Sequence, residues 1–340
     1  MHLTFLLPGA LATVSGGYFY DRAMIDGLRG LGHKVEVVEL GAADPLGDPA
    51  LPAAAHAAWD ALPADTIPVI DGLGLYGFAP LAGEIAARRT IGLIHHPISL
   101  EPDWAETEKT RLSAEEQALF PAFAKLVVTS DWTATALEKF GVDAARIAVV
   151  QPGTAPAART RFAETGCDIL ALGSLEPRKG HRMLLRALSR LWDLDWHLTL
   201  AGQGPDEAEL RALIAELKLA DRVSMPGLLT GADLAAQWAR TDLFALATRF
   251  EGFGMAIAEA LARGIPPAIT DGGAAGALVP VDAGVVCTVD DQVTYSKVLR
   301  RLIFDTDVRR EMAEHAWAVG QKLPDWPAQV EKFAHAVAPQ

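Results

Sequence analysis

Along the 340-residue chain, apolar runs recur at short intervals, each ending in a glycine- or proline-bearing loop and followed by a stretch with helical spacing. Residues 2–7 form the first such run and end at Pro8-Gly9. Ser15-Gly16-Gly17 then leads into a helix expected over 18–31, and residues 34–40 return as a second strand. Strand, glycine loop, helix and strand in that order predict a right-handed parallel crossover with its loop at the carboxyl edge of the sheet. The theme repeats, with strands expected at 67–70, 90–94, 126–129 and 147–150, then at 168–174, 196–201, 222–225, 243–248, 266–270 and 284–287. Helices are expected near 53–61, inside 101–123, and over 131–140, 181–192, 207–219, 255–263, 295–319 and 326–337. Several strands, those at 90–94 and 243–248 among them, read as buried apolar runs, whereas residues 34–40 show mixed alternation.

A chain of this length suits two domains. The break falls after Gln151-Pro152-Gly153-Thr154. Residues 155–166, with Pro156, two arginines and little apolar periodicity, read as a linker. The expected organisation is therefore a first domain at 1–154, a linker at 155–166, a second domain at 167–322 and a closing helical segment at 323–340. Half the residues are hydrophobic, so each domain can build a core. No apolar run reaches membrane-span length, no basic region precedes the first apolar stretch, and Cys167 and Cys287 stand far apart. A cytoplasmic protein with two ordinary buried thiols is expected. The net charge of −13 argues against a general nucleic-acid or anionic-membrane binder. Residues 1–150 carry 10 Lys and Arg against 19 Asp and Glu, and the helix around 106–111 is mixed in charge, so membrane docking gains no support.

The densest chemistry lies in residues 251–264, EGFGMAIAEALARG. It follows a buried strand and opens a helix. Gly252 and Gly254 let the backbone approach a ligand closely, and the free N–H groups of the new helix favour an anionic or hydroxyl oxygen. Glu251 and Glu259 are eight positions apart, a little over two helical turns, and could line one side of a site at two depths. Each carboxylate could accept a vicinal diol. The competing reading is two solvated helix charges.

Other candidates sit at strand ends, where open parallel sheets bind ligands. His95-His96-Pro97 ends the strand at 90–94. Arg178 and Lys179 follow the strand at 168–174 and would complement a diphosphate. Gly16 and Gly17 do not fit the dinucleotide fingerprint, and Asp71 reads as a turn former. Asp193-Leu194-Asp195 satisfies a metal-binding spacing but lies at the amino end of a strand, so no metal is expected.

EGFGMAIAEALARGIPPAIT resembles the donor motif, two glutamates with seven residues between them, of the retaining nucleotide-sugar glycosyltransferases of family 4. The following Gly-Ile-Pro into a strand, the Val-x-Pro-Gly-like end of the first domain, Lys179-Gly180 and the Gly202-Gln203-Gly204-Pro205 turn are similar to that family too. The resemblance implies a GT-B α/β fold: two Rossmann-like parallel-sheet domains facing across a cleft, with a C-terminal helix crossing back to the first. It implies that Glu259 holds the ribose and Glu251 a hydroxyl of the transferred sugar. Phe253, Gly254 and Met255 offer N–H groups. Gly202 lies beneath the nucleotide, Leu228 and its neighbours meet the base edge, and Gly16 and Gly17 meet donor phosphate and acceptor. His95 rather than His96 matches the family position, and Arg178 with Lys179 stabilises the leaving diphosphate. Lys179 carries over directly; Arg178 does so less directly, because Ser174 stands where the family has its arginine.

The implied activity is retaining, metal-independent hexosyl transfer from a UDP-, GDP- or ADP-linked sugar, with no cofactor, to an unidentified hydroxyl acceptor: a saccharide, a lipid-linked intermediate or a small metabolite. A catalytically degenerate nucleotide-sugar binder and a GT-B sugar epimerase are the alternatives.

Overall fold

The computed structural model describes residues 1–42 and 46–339. The chain forms two compact units, residues 1–153 with 324–340, and residues 154–323. Part of the stretch read as a loop after residue 41, Ala43 to Pro45, lies outside the described residues, as does Gln340.

In the first unit β1 (His2–Leu7), α1 (Gly16–Gly30), β2 (Lys34–Glu39), α2 (Leu51–Asp60), β3 (Ile67–Asp71), α3 (Ala82–Ala87), β4 (Ile91–Ile94), α4 (Glu106–Leu119), β5 (Lys125–Val128), α5 (Asp131–Lys139) and β6 (Ile147–Val149) alternate. Their strands form one parallel sheet in the order β2-β1-β3-β4-β5-β6. Side chains on β1 alternate between the sheet's faces. Leu3, Phe5 and Leu7 meet Met24 and Leu28 of α1, while Leu6 joins Ile70, Phe78 and Phe120 on the opposite face. Ser15 caps α1 by accepting from the Tyr18 amide.

The second unit repeats the plan with β7 (Asp168–Leu172), α6 (His181–Leu188), β8 (His197–Ala201), α7 (Glu207–Glu216), β9 (Val223–Gly227), α8 (Gly231–Ala239), β10 (Leu243–Leu246), α9 (Met255–Ala262), β11 (Pro267–Thr270), β12 (Val285–Cys287), α10 (Gln292–Phe304) and α11 (Thr306–Gly320). The parallel sheet order is β12-β11-β10-β7-β8-β9. Ile169 and Ala171 face the helices α6, α7 and α10, whereas Leu170 faces α8, α9 and α11.

Three expectations change. The single helix expected over 295–319 is two, because Asp305 leaves the helical region (φ −94°, ψ 91°) and its carboxylate caps α11 through the Val308 amide. α8 had not been expected at all. The segment expected as a free linker is bound to the second unit: Thr160 N donates to Arg263 O (3.0 Å) and Ala163 N to Asp242 Oδ1 (2.9 Å).

The last helix, α12 (Trp326–Val337), belongs to the first unit. Gly27 on α1 makes room for it, since a Cβ there would stand 2.4 Å from Val330 Cγ2. Phe333, fully buried, packs on Phe5 with ring centroids 6.1 Å apart. Among the described residues no helix is long and apolar enough to cross a membrane. On α4 the charges are answered locally, Arg111 pairing with Glu108 and with Glu115 (2.8 Å).

Truncating Phe333 to Ala removes a ring from a filled core and should lower the stability of the first unit by about 3–5 kcal/mol. Hydrogen exchange of the β1 and β3 amides measures it; unchanged protection would show that α12 contributes nothing to that core.

Candidate functional site

In the second unit, three strand ends are drawn together by glycines. Gly202 lies so close to the end of β7 that a Cβ on it would stand 1.8 Å from the Gly173 carbonyl. The Gly202 amide donates to Gly227 O (2.9 Å) and the Gly173 amide to Ala201 O (3.1 Å). Gly180, at φ +66°, approaches β10 from the other side; a Cβ there would be 1.8 Å from Ala247 O. That approach lets the Arg178 carbonyl accept from the Arg249 amide (2.7 Å) and from Thr248 Oγ1 (3.1 Å). The loops after β7 and β10 are thereby locked together by backbone contacts.

Lys179 and Glu251 meet across this lock as a buried ion pair. The stem of Lys179 runs past Gly173, whose missing side chain leaves the space. Burial pulls the Lys179 ammonium below its ordinary value, and the Glu251 charge opposes that pull. Glu251 lies ahead of the helix, as its place before the stretch expected to be helical over 255–263 implied. It forms an isolated parallel bridge with Gly273, and its carbonyl accepts from the Ala274 amide (2.8 Å). α9 starts only at Met255, after Gly254 in the left-handed region (φ +104°). Ile257 and Ala258 bond back to the Gly254 carbonyl (3.0 and 3.1 Å). The amides of Phe253, Gly254 and Met255 have no backbone acceptor among the described residues.

Glu259 is half-buried in the second turn of α9. Burial raises its carboxyl, and Arg263 one turn on works against that rise. Trp238 Nε1 lies beside the carboxylate without meeting hydrogen-bond geometry. Arg178 turns its guanidinium to Glu176 (3.0 Å) and to the Phe250 carbonyl (3.4 Å). Leu228, directly after β9, is exposed.

In the first unit, His95 follows β4 and is joined at Nε2 by Asp71 Oδ2 (3.2 Å) and Asp21 Oδ1 (3.5 Å). Gly17 lies over the ring, 3.4 Å from Nε2 to where its Cβ would be. Asp71 also makes the expected turn, accepting from the Leu73 amide (2.8 Å). His96 instead pairs with Glu101 (2.8 Å). The Asp21, Asp71 and His95 atoms lie within 4.8 Å of one another, a spacing a divalent cation could also span; the Asp71 contact to Nε2 is a hydrogen bond, and the longer Asp21 contact is an ion-pair approach. Asp193, of the Asp-x-Asp triplet, is engaged by Arg300 through two bonds (2.7 and 2.8 Å).

Sequence reasoning missed Asp21. The signal was an acidic residue on the stripe of α1 that also carries Met24 and Leu28, a position where a charge is costly unless paired. It also missed Glu176 as the partner of Arg178.

Two Rossmann-like units with glycine-locked strand ends define a GT-B fold. A match to Glycosyl transferases group 1 covers residues 157–318, and one to the Glycosyl transferase 4-like domain covers residues 10–153. The chain belongs to the group 1 glycosyl transferases. It is 34% identical over 140 residues to the mannosylfructose-phosphate synthase of Agrobacterium fabrum, a match covering 38% of this chain and 31% of that one. The chain spans about half the length, or less, of the first curated relatives it matches. Its fold is shared by sucrose-phosphate synthase from Thermosynechococcus elongatus (TM-score 0.82, 18% identity, 98% of both chains). It is shared also by HepE of Anabaena in complex with UDP and glucose (TM-score 0.74, 18% identity, 98% of this chain and 99% of that one).

The same loop creates a pH dependence. His181 opens α6, is buried, and contacts Ser174 O through Nε2 (3.0 Å). Burial lowers its pKa from 6.5 to about 4, so it stays neutral in the fold. The unfolded chain takes up the proton first as pH falls, so the second unit should lose up to about 3 kcal/mol between pH 6.5 and pH 4. His181→Gln should flatten that part of the stability curve, measured by denaturant unfolding. An equal slope in the variant would show that another group is responsible.

Proposed function

We propose that the protein is a retaining glycosyltransferase that moves a hexose from a nucleoside-diphosphate sugar to a hydroxyl acceptor, without a metal. The observation that carries this reading is the Lys179–Glu251 pair set beside the amides of Phe253, Gly254 and Met255, which have no backbone acceptor among the described residues. A cation and such N–H groups at a strand's carboxyl end suit a diphosphate, and an adjoining carboxylate suits sugar hydroxyls. The complex of the similar HepE fold with UDP and glucose supports the same class of donor.

In this mechanism Glu259 accepts the ribose hydroxyls and Glu251 a hydroxyl of the transferred sugar. Phe253, Gly254 and Met255 donate to the phosphates. Gly202 keeps the backbone low beneath the nucleotide, and the chain at Leu228 meets the base edge. As the glycosidic bond breaks, negative charge grows on the departing diphosphate, and Lys179 with Arg178 stabilises it more than in the ground state. Retention follows when the acceptor attacks the face the diphosphate leaves and gives its proton to the leaving phosphate oxygen. No separate base is then required. In the first unit, His95 and the Gly16-Gly17 turn are read as donors to a ligand oxygen.

Thermal unfolding with UDP, GDP, ADP, dTDP and CMP, without added metal, tests the donor site. One diphosphate at 100 times its Kd should stabilise the protein by about 2.7 kcal/mol, and Glu259→Ala should abolish most of that gain. No shift with any nucleotide, magnesium added or not, would overturn the reading. Product analysis with the matching nucleotide sugar then separates a transferred sugar from an isomerised one and from mere binding.

A further inference from the structure

Asp21 has no place in the donor chemistry, yet it is the most unusual charge in the first unit. It is fully buried on α1, and neither carboxylate oxygen meets hydrogen-bond geometry with any partner among the described residues. Burying a carboxylate is costly unless a positive group answers it. The group within reach is His95, whose Nε2 stands 3.5 Å from Asp21 Oδ1 and 3.2 Å from Asp71 Oδ2.

Neighbouring groups hold the ring in place while leaving it partly exposed. Tyr20 of α1 meets it edge-on, with centroids 5.5 Å apart, and Gly17 leaves space above it. The His95 carbonyl is held by Thr129 Oγ1 (2.9 Å) and Thr133 Oγ1 (3.3 Å), from the end of β5 and from α5. Tyr18 is occupied by the Gly9 amide (2.9 Å), and burial pushes its hydroxyl up to about 12. His96 is turned to Glu101. With Nε2 committed to two carboxylates, Nδ1 is the ring nitrogen with no hydrogen-bond partner among the described residues.

We propose that Asp21 and Asp71 are positioning residues that clamp the His95 ring through Nε2 and keep it doubly protonated, so that Nδ1–H is a fixed donor to an oxygen of the bound ligand and His95 is not a general base. This rests on the reading of His95 as a ligand-facing group. A single carboxylate behind a histidine orients the ring and favours the imidazolium; two, one of them fully buried, bias it further. Burial pulls the His95 pKa down, but the close contacts with Asp21 and Asp71 and their charges outweigh it and raise it to about 10. Asp21 in turn is pushed up to about 7 by burial and by the Asp71 charge. The ligand class implied is one that offers oxygen lone pairs at this point, a hydroxyl or a phosphate, rather than a group that must lose a proton to His95.

The test is an NMR titration of the unliganded full-length protein labelled at the histidine rings, with the His95 signal assigned by its loss in His95→Gln. In the wild type both ring nitrogens should stay protonated from pH 5.5 to 8.5. Asp71→Asn and Asp21→Asn should each lower the titration midpoint by more than one pH unit, and the two variants report independently if one of them folds poorly. A wild-type midpoint near 6.5 that neither variant moves would overturn the proposal. So would a stoichiometric divalent metal in the purified protein whose removal by EDTA shifts the His95 signal, since the three side chains would then bind a cation. Neither readout depends on transferase activity, so a failure here is separate from a failure of the nucleotide test.

Discussion

The loops at the strand ends of the second unit depend on one backbone contact, the approach of Gly180 to the carbonyl of Ala247. A side chain at residue 180 would need the space that oxygen occupies. Because it is glycine, the loop after β7 can lie against the end of β10, the Arg178 carbonyl can accept from Arg249 and Thr248, and Lys179 reaches Glu251. The ion pair is a consequence of that lock. Two charges taken from water gain stability only when geometry is imposed on them, and here rigid main chain imposes it. The same lock buries His181 at the start of α6, which ties the loop's chemistry to a neutral histidine behind it.

Much of this was legible in the sequence, for physical reasons. Strands buried on both faces leave unbroken apolar runs, so the order of elements and the parallel sheets could be read directly. Polar residues directly after such runs, His95 and Arg178-Lys179 among them, mark the carboxyl edge where a parallel sheet presents its loops. The paired glutamates were legible as a motif, but their tertiary partners were not. Glu251 was expected ahead of a helix starting at Met255, as found, but its bridge to Gly273 and its ion pair with Lys179 depend on residues far along the chain.

The rest was hidden because tertiary partners decide it. Asp305 looks like one polar residue in a helical stretch, and only its capping bond to Val308 shows why the helix breaks there. Residues 155–166 lack periodicity, yet their amides are bonded to Arg263 and Asp242, side chains and carbonyls far along the chain. Asp21 sits on an apolar helix face with no local partner, and its answering charge is seventy-four residues away at His95. Sequence spacing cannot report such pairings.

The central claim is that the glycine-locked loops of the second unit hold a nucleoside diphosphate. Hydrogen exchange of the protein saturated with UDP, GDP or ADP, whichever binds, tests it most directly. The account predicts slowed exchange at the amides of 253–258, around 173–180 and around 202–204, with the far face of the second sheet unchanged. Protection confined to other segments, or none with any of the three, would contradict it.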